Sequence, residues 1–126
     1  MNIILITNNP LVFEKYANNQ NVEYYEVSYL EILNIIRDKI HIGHKLLTHP
    51  LSSSLKPNET PYKTVLITKE KYSSVDTDSI IIIESSILTA KKFIRNKQTP
   101  DWNQLILDDF QVVDLSLVDN VLSRDI

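Results

Sequence analysis

The residues best suited to chemistry are concentrated in one polar segment of the chain, residues 49–63. His49 opens the segment, and an imidazole changes its charge near neutral pH, as a general acid or base must. The serines at 52–54 are not accompanied by a nucleophile elbow or an oxyanion motif, so a flexible, solvated loop is a simpler interpretation than a hydrolase site. Further polar residues of the segment are candidates for a ligand pocket, with scattered solvated charge as the alternative: Ser52, Lys56, Asn58, Glu59, Thr60 and Lys63.

Three histidines, His41, His44 and His49, fall within nine residues and raise the question of a metal site. A strand between the second and the third would place them roughly 15 Å apart, which is too far to share one ion. His41 is better explained by an interaction with the dipole at the end of a helix. The sequence therefore predicts no metal site.

No cofactor is predicted either. The absence of cysteine excludes disulfides, thiol nucleophiles and thiolate-bound clusters. Gly43 is the only glycine, so the glycine-rich loops that bind nucleotide phosphates are missing. Anion capture by the N-terminus of the first helix is the alternative that stays open.

Composition and charge narrow the partners and the compartment. The net charge is −3 and the basic residues are scattered, so nucleic-acid binding is disfavoured. No apolar run approaches the roughly 18 residues that would cross a membrane. The N-terminal residues lack the basic region and the cleavage site of a secretory signal. The expected location is the cytoplasm, without membrane association.

The elements that must position the polar residues alternate between strands and helices. Apolar runs predict strands at residues 3–7, 22–27, 45–48, 63–68 and 111–117. Cap residues and helical spacing predict helices that start at Asn9-Pro10, at Ser28 with Glu31 as a capping box, at residue 77, at Thr99-Pro100-Asp101 and at Ser116.

This order of elements predicts a single α/β domain over residues 1–126. Its architecture is expected to be Rossmann-like and layered, with a mostly parallel sheet of about five strands flanked by helices. Gly43 lies where the second helix needs a left-handed C-cap. The four isoleucines at 80–83 leave a strand as the alternative to a helix over 77–96.

Three of the predicted strands end in threonine, at Thr7, Thr48 and Thr68. If the strands are parallel, these threonines meet at the carboxyl edge of the sheet, where open α/β sheets bind ligands. Asn8 and Asn9 follow the first strand, and segment 49–63 follows the third, so both would line the same crevice. The alternative is that threonine is simply the first polar residue that a buried strand tolerates.

Three stretches are distinctive: ITNNPLV at 6–12, LLTHPLS at 46–52 and KPNETPYK at 56–63. The first is similar to the N-terminus of the GrdX family, and the other two resemble that family's signature. The likeness runs over most of the chain. It implies a small accessory protein encoded with the glycine, sarcosine or betaine reductase systems of amino-acid-fermenting anaerobic bacteria. No catalytic residues follow from it.

Three functional hypotheses result. The first is an accessory protein that binds a small metabolite or docks on a reductase component through segment 49–63. The second is a small metabolite-acting enzyme with His49 as general acid or base and Thr7, Asn8 and Asn58 orienting the substrate. The third is a homo-oligomer whose interface is formed by residues 49–63.

Overall fold

The structure is a computed structural model that describes residues 2–124, and this part of the chain contains three strands and four helices. In chain order they are β1 (Ile3–Thr7), α1 (Pro10–Tyr16), β2 (Asn21–Tyr24), α2 (Tyr29–His41), β3 (Thr64–Thr68), α3 (Thr77–Asn96) and α4 (Gln104–Arg124). The sheet has the order β2-β1-β3. Within residues 2–124, no helix is long and apolar enough to cross a membrane.

β1 is the central strand, and all five of its residues are buried because it is an apolar run that ends in Thr7. β2 pairs with it in parallel. β3 pairs with it in antiparallel fashion, with Ile3 opposite Thr68 and Thr7 opposite Thr64. The carboxyl end of β1 therefore meets the amino end of β3.

The predicted Rossmann-like domain with a mostly parallel sheet of about five strands is wrong. The α/β class is correct, but the sheet has three strands of mixed direction. The predicted strand at 45–48 makes a single bridge, from Leu46 to Ile67. Parallel neighbours need a crossover, which is usually a helix. No helix lies between residues 48 and 64. The chain therefore turns back through segment 49–63, and Leu46 pairs with β3 in antiparallel fashion.

The last third of the chain also differs from the prediction. The expected strand at 111–117 and the separate helices at Thr99-Pro100-Asp101 and Ser116 are replaced by α4, one helix of 21 residues. Its buried residues are Gln111, Asp114, Val118 and Leu122, which repeat every three or four positions. Two of these four inward positions are polar, so the helical period is hidden from any pattern based on hydrophobicity.

Several local signals are confirmed. Asn9 caps α1, and its side chain accepts a hydrogen bond from a backbone N–H of the first turn. Ser28 and Glu31 form the predicted capping box of α2. Gly43 follows the end of α2 with a φ of +115°, and a Cβ there would lie 2.5 Å from the Tyr72 carbonyl oxygen. The helix predicted over 77–96 is α3.

The sheet lies between two pairs of helices. Alternate residues of β1 face opposite sides. Ile4 and Ile6 belong to the core that includes the buried residues of α2 and α3. Ile3 and Leu5 belong to the core that includes α1 and α4. Because α4 packs on the second face, its polar inward residues lie beside the end of β1.

Candidate functional site

A buried polar network closes the carboxyl end of β1. The Asn9 backbone N–H donates to Thr7 Oγ1 at 2.9 Å, and the hydroxyls of Thr7 and Thr64 share a hydrogen bond of 2.7 Å. Thr64 donates to Asp114 through its hydroxyl at 2.6 Å and through its backbone N–H at 3.2 Å. Asn9 Nδ2 donates to the same carboxylate at 2.9 Å. One carboxylate on α4 thus joins β1, the cap of α1 and the start of β3.

Asn8 attaches segment 49–63 to this edge of the sheet. Its Oδ1 accepts from the Lys63 backbone N–H at 2.8 Å. Its Nδ2 donates to the carbonyls of Val27 at 2.9 Å and Pro61 at 2.8 Å. Asn8 is buried, and both ends of its amide are occupied. Asn8 therefore holds the end of segment 49–63 against the end of β1.

Lys63 is the least expected feature of the site, because its side chain is only 3% exposed. Among residues 2–124, the hydrogen-bond partner of its Nζ is the Ser52 carbonyl, at 2.6 Å. Burial lowers the pKa of the Lys63 ammonium from 10.5 to about 8, and the nearby Asp114 carboxylate partly offsets that effect. Within the described residues, this buried cation therefore has one hydrogen-bond acceptor.

A small pocket lies against Lys63, with a volume of about 50 Å³. A water molecule needs roughly 10–15 Å³ of such space, so the pocket has room for about three to five non-hydrogen atoms. Segment 49–63 contributes polar residues to the lining, and α4 contributes Asp114 together with three apolar residues. The lining residues are Thr48, His49, Ser52, Lys63, Thr64, Leu66, Asp114, Leu117, Val118 and Val121.

His49 is an exposed residue at the mouth of the pocket. Its Nδ1 accepts a hydrogen bond of 3.0 Å from the Leu51 backbone N–H. In the neutral ring the proton therefore lies on Nε2, because only the unprotonated nitrogen can accept. The neutral imidazole therefore adds an N–H donor to the residues that line the pocket.

Of the residues predicted to bind a ligand, Thr48, His49, Ser52 and Lys63 meet at this pocket. Thr7, Asn8 and Asn9 form the network behind it. The other four hold segment 49–63 together. The Lys56 backbone N–H donates to Glu59 Oε1 at 2.8 Å, and Thr60 Oγ1 accepts from the Tyr62 backbone N–H at 3.1 Å.

Asn58 has the most clearly structural position of that group. Its Nδ2 donates to the carbonyls of Phe93 at 3.2 Å and Lys97 at 3.0 Å, at the C-terminal end of α3. Both carbonyls lie at the end of the helix, where partners are scarce, and the Phe93 carbonyl also accepts from the Lys97 backbone N–H at 3.1 Å. Trp102 adds a second attachment, because its indole N–H donates to the Glu59 carbonyl at 2.7 Å. The segment is thus bound to α3 and to the residues that precede α4.

The predicted meeting of three threonines at one edge is wrong for Thr68. Because β3 is antiparallel to β1, Thr68 lies opposite Ile3, at the far edge of the sheet from Thr7. Thr48 lies beside β3, where its hydroxyl accepts from the Leu66 backbone N–H at 3.0 Å. The partner of Thr7 is Thr64, a threonine at the start of a strand.

The three histidines have separate environments. His41 lies 3.7 Å from Glu84, and the Nδ1 of buried His44 hydrogen-bonds to the Thr68 carbonyl at 2.6 Å. His49 bonds to a backbone N–H of its own loop. Over the described part of the chain, no group of three or more His, Asp or Glu side chains is placed to hold a metal ion.

The residues that sequence reasoning missed are on α4. Asp114 is the centre of the network, and Gln111 supplies a carbonyl that accepts from Asn9 Nδ2 at 3.0 Å and a side chain that donates to the Tyr62 hydroxyl at 2.8 Å. A helical spacing of 111, 114, 118 and 122 was the available signal. It is visible only if polar residues are admitted to the inward face.

Replacing Asn58 by alanine is expected to destabilise the protein by about 1–2 kcal/mol, since two hydrogen bonds to the end of α3 are lost. Urea unfolding measures the change. Ser54→Ala, at an exposed position of the same segment, should change the free energy of unfolding by less than about 0.5 kcal/mol. Equal stability of the two variants would mean that Asn58 does not hold the segment.

Lys63→Met tests the burial of the ammonium through pH. With a folded pKa of about 8 and an unfolded value of 10.5, the folded wild type binds fewer protons than the unfolded chain between these limits. The wild type therefore gains about 3 kcal/mol of stability relative to the variant as pH rises through this window. Urea unfolding at several pH values measures the gain. Lys56→Met is the exposed control and should run parallel to the wild type; a parallel Lys63→Met curve would contradict burial.

The comparison with known protein families covers nearly the whole of the chain. The model of the GrdX-like protein family matches residues 4–123. That range includes β1 from Ile4 onward, segment 49–63 and the buried positions of α4 described above. No match was found among curated proteins or among solved structures. A family match over nearly the whole chain is sufficient for an assignment: this chain belongs to the GrdX-like protein family.

Proposed function

We propose that this chain is an accessory protein of the glycine, sarcosine or betaine reductase systems that binds a small metabolite in the pocket beneath segment 49–63. Membership of the GrdX-like family supports an accessory protein of the glycine reductase type. The observation that carries the finer proposal is Lys63, a buried ammonium on the wall of a small pocket.

The energetics of Lys63 favour a binding role. A pKa lowered from 10.5 to about 8 corresponds to a cost of about 3 kcal/mol for keeping the charge in the folded protein at neutral pH. A hydrophobic side chain of similar size would avoid that cost. A ligand with negatively charged oxygen atoms offsets this cost, because the oxygens supply further hydrogen-bond acceptors for the ammonium.

The donors around the pocket indicate the kind of ligand. Lys63 offers N–H groups, and His49 offers its Nε2–H in the neutral ring. The Thr48 hydroxyl accepts from Leu66, which leaves its hydrogen free to donate. Three converging donors suit a ligand with oxygen acceptors. Together with a volume of about 50 Å³, they favour a carboxylate of two or three carbons.

The alternative of an enzyme with His49 as general acid or base receives less support. A base needs an unprotonated ring nitrogen that faces the substrate. Here Nδ1 is occupied by the Leu51 N–H, so the neutral ring carries its proton on the other nitrogen. That tautomer donates a hydrogen bond to a ligand and does not accept a proton from it.

The test is a titration of the ¹⁵N-labelled protein with acetate, glycolate and glyoxylate, followed by NMR. At least one of these is expected to shift the amide signals of residues 48, 49, 51, 52, 63 and 64, with a Kd of roughly 0.1–10 mM for so few atoms. Lys63→Met should lose the response, and Lys56→Met, at an exposed position of the same segment, should keep it. Identical titrations of the wild type and Lys63→Met would refute a ligand at this pocket.

Native mass spectrometry of the protein from its own cytoplasm provides a check that does not depend on the choice of probe. A retained small mass supports metabolite binding. A retained protein mass would instead favour docking on a reductase component, and a dimer mass would favour the interface hypothesis for segment 49–63.

A further inference from the structure

The Lys63 amine is placed for more than ion pairing. One hydrogen of Nζ is donated to the Ser52 carbonyl, which fixes the end of an otherwise flexible side chain at the pocket wall. In the neutral amine this leaves the nitrogen lone pair without a partner among residues 2–124. A fixed amine with a free lone pair, beside an open space of about 50 Å³, is the arrangement of a nucleophile.

We propose that Lys63 Nζ forms a reversible Schiff base with a small aldehyde that carries an adjacent carboxylate, in the pocket lined by Thr48, His49 and Asp114. This inference rests on the proposed function, since it uses the same pocket and specifies the class of ligand. It adds a covalent bond to what would otherwise be ordinary binding.

The reaction balances without an added oxidant or reductant. The neutral amine attacks the carbonyl carbon, and a C–N bond forms as the carbonyl π pair moves to oxygen. Proton transfer from nitrogen to that oxygen gives a neutral carbinolamine. A proton from the solvent converts the hydroxyl into a leaving water as the C–O bond breaks, and the nitrogen lone pair forms the new π bond. The product is a protonated imine between Lys63 and the former aldehyde carbon. Hydrolysis by the reverse path releases the ligand.

The pocket suits such a product in size and charge. After loss of water, the imine of a two-carbon oxo acid adds four non-hydrogen atoms beyond the imine nitrogen, close to the capacity of the space. The carboxylate would lie toward the exposed mouth, where His49 supplies an N–H donor. Asp114 lies on the opposite wall and balances the positive charge of the protonated imine. Leu117 and Val118 contribute apolar surface to the same lining.

The titration behaviour of Lys63 agrees with this geometry. With a pKa of about 8, roughly a quarter of the amine is neutral at pH 7.5, about two hundred times the fraction of an ordinary lysine. The charged or titratable groups that face it are Asp114 from α4, His49 and Tyr62 from segment 49–63, and Tyr29 from α2. Asp114 is the one among them that shifts the Lys63 pKa upward.

The experiment is reductive trapping of the full chain with glyoxylate and sodium cyanoborohydride, followed by peptide mapping. Reduction of the imine leaves a stable carboxymethyl group on the lysine that reacted. At pH 7.5, Lys63 is expected to be labelled at least tenfold faster than Lys56, an exposed lysine of the same segment. The Lys63 rate should reach half its maximum near pH 8. Lys63→Arg keeps the charge but has no amine, so trapping at this position should vanish.

The outcomes separate this inference from the proposed function. Glyoxylate that shifts the amide signals of the pocket while Lys63 is labelled no faster than Lys56 would overturn the Schiff base and leave binding intact. Neither amide shifts nor selective labelling would overturn both. If Lys63→Arg fails to fold, the comparison of Lys63 with Lys56 within the wild-type chain still decides the question.

Discussion

The buried carboxylate of Asp114 holds the last helix against the start of β3 and the cap of α1. It accepts hydrogen bonds from the Thr64 hydroxyl, the Thr64 backbone N–H and the Asn9 side chain. Asp114, Thr64 and Asn9 are all buried. Hydrogen bonds to a charged group contribute about 1.5–3 kcal/mol each, whereas a buried carboxylate without them would be strongly destabilising. The last helix is therefore joined to the first strand through a group that cannot be left without partners.

The consequences of this contact extend to the pocket. Asp114 fixes the position of Thr64, and the preceding residue is Lys63, whose backbone N–H is held by Asn8. With the Lys63 backbone held in this way, its side chain runs beneath segment 49–63 and ends at the Ser52 carbonyl. The same carboxylate that organises the fold also tunes the charge of the lysine. Fold and site share one electrostatic centre.

Much of the fold could be predicted where the physics is local. The caps at Asn9 and Ser28 and the positive φ at Gly43 depend on a few neighbouring residues, and each is found where the sequence indicates it. The direction of β3 could not be predicted in this way. It depends on whether segment 49–63 crosses over the sheet or turns back, and that choice is made by distant contacts of Asn8 and Asn58.

The candidate site shows the same division between local and distant residues. Segment 49–63 stands out in the sequence because its polar residues are adjacent in the chain, and it supplies His49, Ser52 and Lys63 to the pocket. The other wall comes from α4, some fifty positions later, and its inward Gln111 and Asp114 replace the apolar residues that reveal a helix. Polar residues on the inward face of a helix thus obscure the hydrophobic pattern by which the helix would be predicted.

The most direct test of this account is an NMR titration of the Lys63 ammonium, observed through its side-chain Cε and Nζ signals in the wild type and in Asp114→Asn. We expect a pKa of about 8 for Lys63 in the wild type, and a still lower value in the variant because the neighbouring negative charge is gone. A Lys63 that titrates near 10.5 in both proteins would contradict a buried amine held at the centre of this site.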